Sequence, residues 1–125
     1  MTTKDVGDAG EAQALAHLLG RGLTLVERNY RVARGSNARG GEVDLILREP
    51  DGTLVFVEVR TRRSASHGGA AASVGTIKQR RLVLAAQHFL QRFKTLPACR
   101  FDVVTVEGQG ASARIEWLRA AFDTS

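Results

Sequence analysis

The chain has 125 residues, 43% hydrophobic and 25% charged, the make-up of one compact globular domain in water. Its net charge of +5 and pI of about 10.3 fit an acidic partner, with nucleic acid the commonest. One cysteine excludes an internal disulfide, three scattered histidines give no zinc spacing, and no apolar run approaches the roughly 20 residues of a membrane span.

Met1 to Gly10 is polar and unlike a signal peptide, so a cytoplasmic setting is expected, where a lone thiol stays reduced. Asp8-Ala9-Gly10-Glu11 reads as a helix start, with Asp8 as cap and Glu11 closing a capping box. Ala12, Leu15, Ala16 and Leu19 supply an apolar stripe, and Gly20 and Gly22 stop the helix. Residues 23–32 read as a strand and 33–40 as a loop of small and basic residues.

Next come two apolar runs, 41–48 and 53–61, around Pro50-Asp51-Gly52. These are turn residues: proline presets φ, aspartate bonds its own backbone and glycine permits positive φ. A hairpin centred on Asp51 pairs residues whose numbers sum to 102, setting Asp44 opposite Glu58 and Glu42 opposite Arg60. Strict alternation places all four on one face, with opposed Cβ atoms about 4.5–5.5 Å apart. Acids inside core-like strands are costly unless compensated, and two side by side predict a cation site.

Residues 62–75 form a long stretch poor in bulky apolar groups, expected to be a mobile loop. A second helix is expected over 76–93, burying Leu82, Ala85, Ala86, Phe89 and Phe93, with Lys78 extending that stripe toward its start. Strands at 100–107 and 113–118 complete the order αβββαββ, a single α/β domain over residues 1–125 with a mixed sheet flanked by helices. Cys99 and Trp117 read as core residues, and His17, His67 and His88 suggest no role.

A helix-borne Glu11, Asp44 on one strand, and Glu58-Val59-Arg60 on the next resemble the core of the PD-(D/E)XK nuclease superfamily. More closely, Gly10-Glu11, Asn29-Tyr30-Arg31, Gly41-Glu42-Val43-Asp44-Leu45-Ile46, Val55 to Arg62, Lys78-Gln79 and Arg100-Phe101-Asp102-Val103-Val104 are similar to the small YraN-type bacterial proteins, an uncharacterised family related to Holliday junction resolvases. The resemblance implies a restriction-endonuclease-like three-layer fold. It also implies Mg²⁺- or Mn²⁺-dependent cleavage of DNA phosphodiesters, branched or damaged DNA included, and a homodimer if two strands are cut. Under it, Asp44, Glu58 and the Val59 carbonyl are metal ligands.

The superfamily lysine position is held by Arg60, which stays charged and cannot act as a general base. Arg60 or Lys78 would then stabilise the phosphorane, and Glu11 would orient water or metal. Arg62, Arg63, Arg80 and Arg81 read as phosphate contacts that position without reading bases. Each has a plain alternative: solvated charges for the arginines, a capping box for Glu11, an exposed helix start for Lys78 and an ion pair with Arg60 for Glu42. Arg60 also supports a second function, a nucleic-acid-binding module of the same fold without catalysis.

Overall fold

The computed structural model describes residues 3–34, 38–62, 74–108 and 110–122, giving the backbone alone for 3–6, 34, 38, 39 and 62. The elements are α1 (Thr3–Leu19), β1 (Thr24–Arg34), β2 (Ala38–Arg48), β3 (Leu54–Arg62), α2 (Thr76–Leu90), β4 (Cys99–Glu107) and β5 (Arg114–Leu118), with a short 3-10 turn at Gly110–Ser112. The five strands form one mixed sheet in sequence order. Among the described strands only β3 and β4 run parallel, joined by the α2 crossover; the other neighbours are antiparallel. Among the described residues no helix is long and apolar enough to cross a membrane.

The hairpin turn follows its residue chemistry. Gly52 takes φ +97°, and the Asp51 carboxylate accepts the Thr53 N–H at 2.9 Å. The strands it joins pair as Leu45↔Val57, Ile46↔Phe56, Leu47↔Val55 and Arg48↔Leu54, each pair summing to the expected 102.

Alternation along the hairpin divides its apolar side chains between two cores. Ile46, Leu54 and Phe56 pack with Phe101, Val103 and the α2 residues Leu82, Ala85, Ala86 and Phe89. Leu45, Leu47, Val55 and Val57 pack on the other face with Val104, Val106 and the α1 residues Ala14 and Leu18. The sheet is therefore the middle of three layers. Burying nine or more apolar side chains on each face contributes the main favourable term, at about 1.5–3 kcal/mol for each large one.

Glycine lets α2 approach the sheet closely. A Cβ on buried Gly41 would lie 2.7 Å from the Ala85 nitrogen and 2.7 Å from the Arg81 carbonyl oxygen, so the α2 backbone rests directly on β2. At Gly10 a Cβ would meet the Thr61 side chain, and this contact seats α1 on β3.

Several boundaries and faces differ from expectation. α1 begins before Asp8, so Asp8 is a helical residue rather than a cap and Glu11 closes no capping box. Its buried face is Glu11, Ala14 and Leu18; Ala12, Ala16 and Leu19 are exposed. The stripe is rotated because Gly10, the smallest residue, sets the line of closest approach to the sheet. The expected 33–40 loop is shortened by both strands, α2 ends at Leu90, and Cys99 is exposed at the start of β4 rather than in the core.

Gly41→Ala should lower stability by about 1–3 kcal/mol, because α2 must shift to admit the methyl group. Gly75→Ala, at an exposed site with φ −63° and open space around it, should stay within about 0.5 kcal/mol of wild type. Urea denaturation decides, and equal midpoints for the two variants would contradict the close packing of α2 on β2.

Candidate functional site

Alternation fails at one level of the sheet, and the acids gather there. On β2, Val43 packs in the α2 core, whereas Leu45, two residues on, packs in the α1 core. Strict period-two alternation would put both on the same face. On β1, Tyr30 packs in the α2 core, whereas Arg28 faces the α1 side beside Glu11. The pairs Arg28↔Leu45 and Tyr30↔Val43 bracket this level, with Asn29 and Asp44 between them. Asn29 has φ +52°, a left-handed conformation that asparagine tolerates better than most residues.

The kink frees Asp44 from the regular ladder. The strand pairs end at Leu45↔Val57, one step short of Asp44 and Glu58, and the Asp44 carboxylate itself accepts the Val59 N–H at 2.8 Å. Glu58, on the α2 side of β3, has a side chain only 8% exposed, with the Lys78 Nζ 3.3 Å from its Oε2. Burial first, then the Asp44 charge and a hydrogen bond with Asp44, push the Glu58 pKa up to about 8, against the pull of Lys78. Burial tends to lower the Lys78 pKa, but Glu58, Glu42 and Asp44 together hold it above its ordinary value, so its amine stays an ammonium at neutral pH.

Glu11 joins from α1. Its carboxyl is raised by burial and by Asp44, while Arg28, 3.4 Å away, and Asn29 oppose that rise. Glu58, Asp44 and Lys78 thus lie together, and Glu11 lies within electrostatic reach of Asp44. Glu42, expected opposite Arg60, is held by Lys78 at 3.4 Å, Arg81 at 3.4 Å and Arg31 at 3.6 Å. Arg81 also donates to the Gly40 carbonyl at 3.2 Å and so braces β2 against α2. Arg80 is exposed on α2, and Arg60 is half-buried two residues beyond Glu58. Arg63, the side chain of Arg62 and residues 63–73 of the expected mobile loop lie outside the described residues.

Comparison with known sequences places this arrangement. The profile of an uncharacterised protein family, UPF0102, matches residues 10–106. The chain belongs to the UPF0102 family. A UPF0102 protein of Methylibium petroleiphilum is 65% identical over 125 residues, covering 100% of this chain and 99% of the relative. UPF0102 proteins of Polaromonas naphthalenivorans and Acidovorax sp. are each 58% identical, covering 83% and 89% of those relatives. The YraN-type resemblance seen in the motifs is thus family membership.

This UPF0102 chain holds a fourth acid inside an apolar strand, to which the sequence reading assigned no role. Asp102, with a side chain 0% exposed, accepts the Arg100 Nε–H at 3.1 Å, the Trp117 indole N–H at 2.9 Å and the Ala120 N–H at 2.9 Å. Arg100 in turn reaches Glu49 at 2.8 Å. This network ties β4 to β5 and to the hairpin turn. It also makes Trp117 a half-buried donor as well as an apolar filler. The signal was the same as for Asp44 and Glu58, an acid between apolar neighbours, but here arginine and N–H donors satisfy it.

Among the described residues no group of three His, Cys, Asp or Glu side chains is arranged to hold a metal ion. The donor chemistry of Asp44 and Glu58 nevertheless suits a hard dication, for which one or two carboxylates suffice beside water and substrate. Two acids side by side, one of them holding its proton first because it is buried and then because the other is near, form a pair that a cation would relieve.

The raised Glu58 pKa has a definite sign in stability. From its ordinary value of 4.5 up to about 8, the folded chain binds a proton that the unfolded chain releases, so stability falls as pH rises through that window. In EDTA, wild type should lose thermal stability between pH 5 and 8.5, by at most a few kcal/mol, roughly, while Glu58→Gln loses much less. Parallel melting profiles for the two proteins would contradict the assignment.

Proposed function

We propose that this chain is a metal-dependent DNA endonuclease of the PD-(D/E)XK type, with a restriction-endonuclease-like fold. The supporting observation is the carboxylate pair of half-buried Asp44 and buried Glu58 at a sheet kink, with the Lys78 ammonium 3.3 Å from Glu58, in a chain of net charge +5. Asp44, Glu58 and the Val59 carbonyl would hold Mg²⁺ or Mn²⁺. The bound cation would supply Lewis-acid activation of water and charge neutralisation at the phosphate.

The protein's own groups do the rest. The Val59 N–H fixes the Asp44 carboxylate, and Glu42 holds Lys78 toward Glu58. Lys78, kept charged by its acidic neighbours, stabilises the negative charge that builds on the phosphoryl oxygens. It thereby takes over a task that Arg60, at the superfamily's lysine position, can share only as a fixed cation. Glu11 orients the attacking water. The water oxygen bonds to phosphorus as the bond from phosphorus to one deoxyribose oxygen breaks. One water proton passes through Glu11 to solvent, and the departing oxygen takes a proton from solvent.

Lys78 distinguishes this reading from a non-catalytic DNA-binding module of the same fold, which Arg60 alone would favour. Linear and four-way DNA should be cut with Mg²⁺ or Mn²⁺ and left intact in EDTA. Asp44→Asn and Lys78→Ala should each slow cleavage by about 10²-fold or more, with DNA binding in EDTA largely retained by Asp44→Asn. Salt-sensitive binding without cleavage by wild type would establish the binding module in place of the enzyme, and equal cleavage by wild type and Asp44→Asn would refute the assigned centre.

A further inference from the structure

A cleft of about 570 Å³ lies beside the carboxylate centre, lined by Asp8, Glu11, Arg28, Asn29 and Arg31. Glu11 links the two: it lines the cleft, and its carboxyl lies within electrostatic reach of Asp44. Strict alternation would send Arg28 and Arg31 to opposite faces of β1. The left-handed backbone at Asn29 overrides this and gathers Arg28, Asn29 and Arg31 on one cleft, while Tyr30 turns into the α2 core.

The two arginines differ in freedom. Arg31 is 74% exposed and only loosely paired with Glu42 at 3.6 Å; Arg28 is 42% exposed and pairs with Glu11 at 3.4 Å. Both are planar donors suited to phosphate oxygens. Among the described residues no aromatic ring lines the cleft.

We infer that this cleft is a nucleotide subsite, receiving the phosphate next to the bond that Asp44 and Glu58 address, with Arg31 and Arg28 as its contacts. The inference deepens the nuclease reading and rests on it for the meaning of "next". Its volume exceeds a phosphate group and leaves room for the attached sugar, with Asn29 in the lining. Asp8 faces the same space and opposes the incoming charge. When Arg28 turns to the phosphate, Glu11 loses that partner and keeps its hydrogen bond with Asn29.

The test is binding in EDTA to a short duplex scanned with single methylphosphonates, each removing one backbone charge. For wild type, one neutralised position should weaken binding by about tenfold. For Arg31→Ala, whose exposed side chain is not needed for folding, the same position should cost less than about twofold, and its salt slope should be shallower by about one. Asp8→Asn should bind the unmodified duplex about two- to threefold tighter, since a like charge is gone. In a parallel reaction with Mg²⁺, the sensitive phosphate should adjoin the cut. Failure to cut with the binding pattern intact would remove the nuclease reading and keep a phosphate subsite. Absence of binding, or identical scans for wild type and Arg31→Ala, would overturn the subsite whether or not the DNA is cut.

Discussion

Asp44 and Glu58 are forced together by the hairpin that also builds both cores. The strands cannot separate them, because Leu45 to Arg48 and Leu54 to Val57 are locked in register by burial on two faces. A one-residue slip would exchange the apolar sets of the two cores and is excluded by that cost. The acids therefore sit just beyond the end of a rigid ladder, joined by a hydrogen bond. Glu58 responds by holding a proton and Lys78 by leaning in from α2. Close placement of two carboxylates is costly in itself, and here a retained proton and the Lys78 ammonium offset it.

The kink at Asn29 and Asp44 gives the site its shape. A regular sheet would point Asp44 into one core or the other, with its charge buried among aliphatic side chains. Breaking alternation on both strands at one level leaves the Asp44 carboxylate on the Val59 N–H and turns Arg28 and Arg31 to the α1 side. Left-handed asparagine is energetically tolerable where a β-branched residue would be strained. The two helices complete the site from opposite faces. Gly10 lets α1 bring Glu11 close, and Gly41 lets α2 bring Lys78 and Arg81 over Glu42.

Much of this is legible in the residues, for identifiable reasons. Pro50-Asp51-Gly52 is strong turn chemistry, and the register that follows from it matches the observed pairs. The α2 stripe of Leu82, Ala85, Ala86 and Phe89 has unambiguous helical spacing. Local pattern fails where tertiary contact decides. The face of α1 is set by Gly10 meeting Thr61, which no helical periodicity reports. The face switch at Asp44 is invisible because alternation rules assume a regular pleat; Lys78 bridging Glu42 and Glu58, and Glu11 reaching Asp44 from α1, could not be read from the hairpin register alone. Asp102 carried the same buried-acid signal as Glu58. Its different fate depends on Arg100, Trp117 and the Ala120 N–H converging from β4, β5 and the turn after it.

The central claim is that the Asp44–Glu58 pair is completed by a divalent cation. Calorimetric titration of the chain with Mn²⁺ at pH 7.5, repeated in buffers of different ionisation enthalpy, tests it without any assay of DNA. The account predicts one Mn²⁺ per chain, bound with release of a proton from the carboxylate pair, and an affinity at least about tenfold weaker in Asp44→Asn. Binding of equal strength in wild type and Asp44→Asn, or none in wild type, would contradict it.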